Sequence, residues 1–406
     1  MKPAIIITLT ALLLGACQST QYLPTTTQYT INQTVDKELY ISNHDQTNPK
    51  KVAFYYENLH NVVIDGKGQK LVFHGTILPF VVKNCSNLTL RNFSIDFATP
   101  YLRQLQITEV DSLHNSVKAQ LYPQGNYKIE NEKLYFIGED YQEMPFGGMV
   151  FSPDKHLAYR RADVPFSPTK IVELAPNEFY IEGMGKSPFL QVGERFVLRT
   201  YSRPTPAIFV TESKNITLEN ITVHNVQGMG LLAQLTENMT LDKFRVAIEE
   251  GSERFFTTQA DATHFSACKG KIRSVNGLYE GMADDAINVH GTYLKVITRE
   301  NDYTIKAQYM HPQSWGFLWG EVGDQVQFVA AKTMETIGDK TYKIHQIKAV
   351  DKPTEVGAKI FEITFDKPLP AEVNPDTPCG VENLTWTPKV LFIVKKKWFA
   401  NLSNGN

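Results

Sequence analysis

Three carboxylates carry the strongest chemical signal in this chain. Asp261 lies in Gln259-Ala260-Asp261-Ala262-Thr263-His264, and the pair Asp284-Asp285 lies in Gly281-Met282-Ala283-Asp284-Asp285-Ala286-Ile287-Asn288-Val289-His290-Gly291. Asp261 and Asp284 are 23 residues apart, and Asn215-Ile216-Thr217-Leu218 returns at the same interval as Asn238-Met239-Thr240-Leu241. If 23 residues make one turn of a coiled sheet, Asp261 sits one rung from the pair, about 4.8 Å away. Like charges that close do not all ionise cheaply, so at least one pKa is expected to rise. A protonated carboxyl beside an ionised one is the equipment for glycoside hydrolysis. One gives a proton to the leaving oxygen and the other takes one from the attacking water, an inverting pair standing roughly 6.5–9.5 Å apart. A regular strand would send Asp284 and Asp285 to opposite faces, so presenting both requires a turn or bulge. The same residues admit other readings: turn aspartates without function, a Ca²⁺ site on a coil edge, or a non-catalytic sugar-binding surface.

The elements that would hold these carboxylates are legible in the repeats. Asn61-Val62-Val63-Ile64, Asn87-Leu88-Thr89-Leu90, Asn215-Ile216-Thr217-Leu218 and Asn238-Met239-Thr240-Leu241 share a leading Asn and a period-two apolar alternation, which is the pattern of a strand. An Asn before each run suits a turn, its amide bonding local backbone or a stacked neighbour. Short strands repeating at 23 to 26 residues, with no sustained 3.6-residue pattern, predict an all-β right-handed parallel β-helix. Two interruptions break the repeat. Each holds short alternating runs bounded by turn residues, such as Lys133-Leu134-Tyr135-Phe136 and Val322-Gly323-Asp324-Gln325, and each is expected to be a small antiparallel β-barrel or sandwich. The chain then divides into a leader (1–17), a polar tether (18–28), the first coils (29–97), insert one (98–203), the coils with the aspartates (204–292), insert two (293–388) and the start of a returning coil (389–406).

The leader has Lys2 before an apolar run and ends Leu14-Gly15-Ala16-Cys17. That resembles a bacterial lipobox, which makes Cys17 a lipidated first residue and places the protein in the cell envelope, facing the periplasm or the exterior. The run is too short for a permanent span, so the lipid is the only membrane attachment expected. A formal charge of −2 over 406 residues gives no sign of a nucleic-acid partner. Cys85, Cys268 and Cys379 match no metal-ligand spacing and no disulfide framework, and the first two fall in strand-like text as buried thiols. The sequons at Asn87, Asn215, Asn238 and Asn383 follow from coil-start Asn meeting strand Thr and are not expected to be glycosylated.

Gln259-Ala260-Asp261-Ala262-Thr263-His264, followed by Glu280-Gly281-Met282-Ala283-Asp284-Asp285-Ala286-Ile287-Asn288-Val289-His290-Gly291, resembles glycoside hydrolase family 110, and more distantly the β-helical polygalacturonases of family 28. Family 110 enzymes are inverting exo-acting α-1,3-galactosidases, so the resemblance implies removal of terminal galactose from oligosaccharides or glycan ends. It implies that Asp284 is the general acid and that Asp261 and Asp285 hold and activate the water. His264, His290, Asn288 and Glu280 are substrate-binding candidates, the histidines being open equally to a structural role. Trp315, with Trp319 and Tyr309 as neighbours in insert two, offers rings that could stack on galactose or fill a barrel core. No metal or organic cofactor is implied, and the oligomeric state is left open. The rival enzyme is a polygalacturonase-like hydrolase, for which Arg245, Lys269, Lys271 and Arg273 would hold uronates. The rivals from other classes are a Ca²⁺-dependent lyase and a carbohydrate-binding lipoprotein. Family members usually continue with further coils after the second insert. Here the text passes Trp398 and stops at Asn406, which leaves open a complete enzyme or one lacking a wall of its cleft.

Overall fold

The computed structural model describes residues 18–153, 157–316 and 318–393. Cys17, the leader and the text from Lys395 to Asn406 lie outside the described residues. The body is two parallel sheets wound as successive coils. One sheet stacks the asparagine-led strands: His60–Phe73, Ser86–Phe97, Lys214–Val223, Glu237–Asp242, Lys269–Val275 and Lys389–Ile393, in that order. The other stacks Lys50–Glu57, Leu78–Lys83, Ile208–Thr211, Leu231–Gln234, Thr263–Ser266 and Ile287–His290. Alternating apolar residues from both sheets meet inside, where Phe54, Phe80 and Phe93 stack with ring centroids 4.7 Å apart at each step. Cys85 and Cys268 are buried in this core and Cys379 in the second insert, each thiol pushed up by burial and that of Cys268 to about 12.

The leading asparagines explain the repeat. Asn61, Asn87, Asn215 and Asn238 all take left-handed backbone, φ between 52° and 59°, which Asn tolerates better than most residues. From Asn87 onward, each side-chain amide donates to the Oδ1 of the asparagine one coil earlier, at 2.9 Å in all three steps. At the next coil Gly270 takes the left-handed turn (φ 73°), and Asn238 Oδ1 accepts from the main chain of Lys271 instead.

The coils are not equally long. Ile208 faces Leu231, Leu231 faces Thr263, and Thr263 faces Ile287. The long middle coil spends its extra residues on a loop that reaches insert one: Gln104 donates to the carbonyl of Glu253 and accepts from the N–H of Phe255, both at 2.9 Å. Arg254 forks onto Asp96 at 2.8 and 2.9 Å, with both side chains buried. Insert one is a seven-stranded antiparallel sheet between Arg103 and Arg199 with a three-stranded sheet beside it. Insert two closes into a six-stranded antiparallel barrel between Leu294 and Asn383. Residues 18–28, expected as a polar tether, are folded instead. Ser19–Tyr22 pairs in parallel with Val62–Asp65, Gln28–Tyr29 pairs with Val72–Phe73, and Leu23 is buried. The first long strand would otherwise present an open edge, and this segment satisfies it.

Candidate active site

The Thr263–Ser266 strand and its neighbour Ile287–His290 pair with Thr263 opposite Ile287 and His264 opposite Asn288. The offset is 24 residues on this rung, one more than the interval that made Asp261 and Asp284 conspicuous. Two steps back along both strands, Asp261 therefore stands beside Asp285, and the N–H of Ala262 donates to the carbonyl of Asp285 at 2.8 Å. Asp284 precedes the strand in a turn, where the main chain of Ala283 is held by the carbonyl of Thr258 and by Arg199. That turn aims both neighbouring carboxylates at one place. One oxygen from each of Asp261, Asp284 and Asp285 lies within 4.8 Å of the others. Acids one rung apart on adjoining coils account for this spacing.

The three acids live in different surroundings. Asp261 is buried, 3 % exposed. Its Oδ2 lies 2.6 Å from His264 Nδ1, and its Oδ1 accepts from the main-chain N–H of Asp285 at 3.3 Å. Asp285 is exposed, with Oδ2 accepting from Asn288 Nδ2 at 3.3 Å. Asp284 is half-buried with Arg203 at 3.7 Å. Burial holds its carboxyl above the usual range and the Asp261 charge pushes the same way; Arg203 and Arg199 oppose the shift, and Asp285 adds a smaller push upward.

Of the other sequence candidates, His264 and His290 join the cluster directly, Nε2 to Nε2 at 2.8 Å with rings at 89°. Asn288 joins it through Asp285. Glu280 sends its carboxylate to the N–H of Ile248 on the coil before, at 3.2 Å. Trp315 packs on the core of insert two with Lys359 over its ring at 4.9 Å, while Tyr309 and Trp319 are core residues of that barrel. Arg245, Lys269, Lys271 and Arg273 lie on the sheet opposite to the one that carries Thr263–Ser266.

Sequence reasoning missed the arginines that matter most to Asp284. Arg199 and Arg203 come from the neck where insert one returns to the coils, and only the position of Arg203 before Pro204 at that boundary could have drawn notice. It also missed a cavity of about 450 Å³ beside Arg203, lined in part by Asn43, His44, Asp45, Tyr101, Glu143 and Tyr201. His44 is buried, which holds its ring well below the ordinary histidine range and hence neutral. Its Nε2 accepts from the N–H of Met229 at 3.2 Å, so Nδ1 carries the proton, and Nδ1 has no partner among the described residues. Tyrosine rings and hydrogen-bonding groups around a space of this size suit a sugar ring.

Comparison with known proteins agrees with this architecture. Residues 103–195 match the family described as GLAA-B beta-barrel domain I, and residues 304–376 match GLAA-B beta-barrel domain II. Alpha-1,3-galactosidase B of Parabacteroides distasonis is 47 % identical over 359 residues, covering 88 % of this chain and 58 % of that protein. Alpha-1,3-galactosidase B of Phocaeicola vulgatus is 48 % identical, with 88 % and 60 % covered. Alpha-1,3-galactosidase A of Shewanella woodyi is 30 % identical, with 90 % and 59 % covered. The chain thus spans about three-fifths of the length of these curated relatives. With both inserts and the coils between them matched, the chain is similar to these bacterial α-1,3-galactosidases along 88–90 % of its own length, which supports its assignment to glycoside hydrolase family 110.

Proposed function

We propose that this protein hydrolyses terminal α-1,3-linked galactose from glycan ends by acid–base catalysis on its coil carboxylates. The observation that carries the reading is the convergence of Asp284, held towards its protonated form, on two further carboxylates within 4.8 Å. Asp284 gives its proton to the leaving glycosidic oxygen. A water attacks the anomeric carbon from the other face and loses a proton to the Asp261–Asp285 side, which yields β-galactose. The cavity beside Arg203 is where the sugar ring is placed. The names of the relatives support the substrate class.

One observation favours a second stereochemistry. Carboxyl groups about 5–5.5 Å apart are the mark of a retaining pair, and one oxygen of each acid here lies within 4.8 Å of the others. In that case the exposed Asp285 would attack the sugar itself. Proton NMR of galactose-α-1,3-galactose incubated with the protein decides: β-galactose as the first product supports inversion, α-galactose supports retention, and no galactose overturns the hydrolase reading. The lipobox text supports attachment to the cell envelope through Cys17. Metabolic labelling with an alkyne fatty acid should mark the protein and leave Cys17→Ala unmarked.

A further inference from the structure

We infer that Asp261, His264 and His290 form a charge-neutral unit in which His264 is an imidazolium paired with the Asp261 carboxylate, and that this unit positions Asp285, which alone takes the proton of the attacking water. The inference rests on the hydrolase reading for its catalytic half only.

The argument is one of counting protons. His290 Nδ1 lies 2.8 Å from the carbonyl oxygen of Gly291. A carbonyl can only accept, so Nδ1 of His290 carries a proton. His264 Nε2 and His290 Nε2 are 2.8 Å apart, so one of these nitrogens is protonated and the other bare. His264 Nδ1 and Asp261 Oδ2 are 2.6 Å apart, so a proton lies between them as well. Three contacts therefore hold three protons. A carboxylate with two neutral imidazoles holds only two, and each such arrangement leaves two lone pairs facing each other at one contact. The extra proton has three possible seats. Asp261 accepts on both oxygens, from His264 at Oδ2 and from the N–H of Asp285 at Oδ1, which is the acceptor pattern of an ionised carboxylate. On His290 it meets burial, which disfavours charge there more than the Gly291 carbonyl and the Asp261 carboxylate favour it. His264 touches the carboxylate directly and is its seat.

The consequence for chemistry follows from how Asp261 is used. Oδ2 is engaged by the imidazolium, Oδ1 by the N–H of Asp285, and the side chain is 3 % exposed. Asp285 is exposed, braced by Asn288 on one oxygen. In the step proposed, an O–H bond of water breaks, its oxygen bonds to the anomeric carbon and its proton goes to Asp285. The glycosidic C–O bond breaks as the proton of Asp284 passes to the leaving oxygen, and both acids reset through solvent. Asp261 and the two histidines are positioning residues in this scheme.

Two measurements test it on the folded protein. With ¹⁵N-histidine labelling at neutral pH, and His264→Gln and His290→Gln spectra to assign the rings, three of the four ring nitrogens of this pair should be protonated, falling to two in Asp261→Asn. Two protonated nitrogens in the wild type would overturn the ion pair, with no substrate involved. For the base, Asp285→Ala should lose roughly 10²–10⁴-fold in kcat and regain turnover with azide, which attacks without deprotonation, releasing β-galactosyl azide. Asp261→Ala should lose about 10²-fold by misplacing Asp285 and gain nothing from azide. Azide rescue of Asp261→Ala, or its failure with Asp285→Ala, would overturn the assignment of the base. A wild type without galactosidase activity would overturn the catalytic half together with the proposed function, and the nitrogen count would still decide the ion pair.

Discussion

Asp284 illustrates how a site can be expensive to keep. Its carboxyl is held above the usual range by burial first and by the Asp261 charge next. A carboxyl whose folded pKa exceeds its unfolded one stabilises nothing by ionising: stability is complete below the unfolded value, near 4, and declines as pH rises through the folded one. Asp284→Asn should therefore melt higher than the wild type at neutral pH, with the gap closing below about pH 4. The same substitution should cut turnover roughly 10²–10⁴-fold. Melting curves at both pH values, beside an assay on the galactosyl disaccharide, check the two outcomes together. A variant both inactive and less stable at neutral pH would place Asp284 in a structural role.

At the scale of elements, the coil owes its registration to a ladder of asparagines, and the two sources of its strength can be separated. Asn215 gives one amide bond to Asn87 and takes one from Asn238, at a φ of 56°. Asn215→Gly loses the bonds but keeps an easy left-handed turn, whereas Asn215→Ala loses both, at a further cost of about 1–2 kcal/mol. Urea unfolding of the pair should show Ala below Gly, and equal stabilities would mean the backbone conformation carries no strain. This ladder was legible in the sequence because a left-handed turn repeated every coil demands the same residue each time. So were the alternating strands and the acids of the cleft, for they lie inside the repeat. Arg199, Arg203 and His44 were not legible. They reach the cleft from a neck and a loop outside the repeat, where no period places them. The register was misjudged by one residue because interval in the sequence and pairing across a rung agree only when every coil has the same length. The tether was misread because its polar composition hides the backbone pairing that fixes it.

The whole molecule is held together where the long coil meets insert one. Asp96 and Arg254 share a buried, two-pronged contact, with Lys70 and Glu249 around it. Burial raises the carboxyl of Asp96, and Arg254 outweighs it, leaving the group below its ordinary range. Asp96→Asn leaves the buried guanidinium with only Glu249, at 3.7 Å, as an acidic partner among the described residues and should cost about 3–5 kcal/mol, read as a lower urea midpoint; a loss under about 1 kcal/mol, the typical worth of an exposed pair, would show that the contact is not sealed from water. The unequal coils also show that the stack works as a ruler, graduated in steps of about 4.8 Å. Arg203 enters just before the Ile208–Thr211 strand, while Asp284 lies just before Ile287–His290, beyond Leu231–Gln234 and Thr263–Ser266. Duplicating residues 208–230 would add one graduation between them. The lengthened protein should still fold, since its new coil repeats a register the stack already uses, but it would withdraw Arg203 and the sugar cavity from the acids and fall silent. Under the proposed function, catalysis in this architecture is a matter of length, set by the number of coils between two groups as much as by the groups themselves.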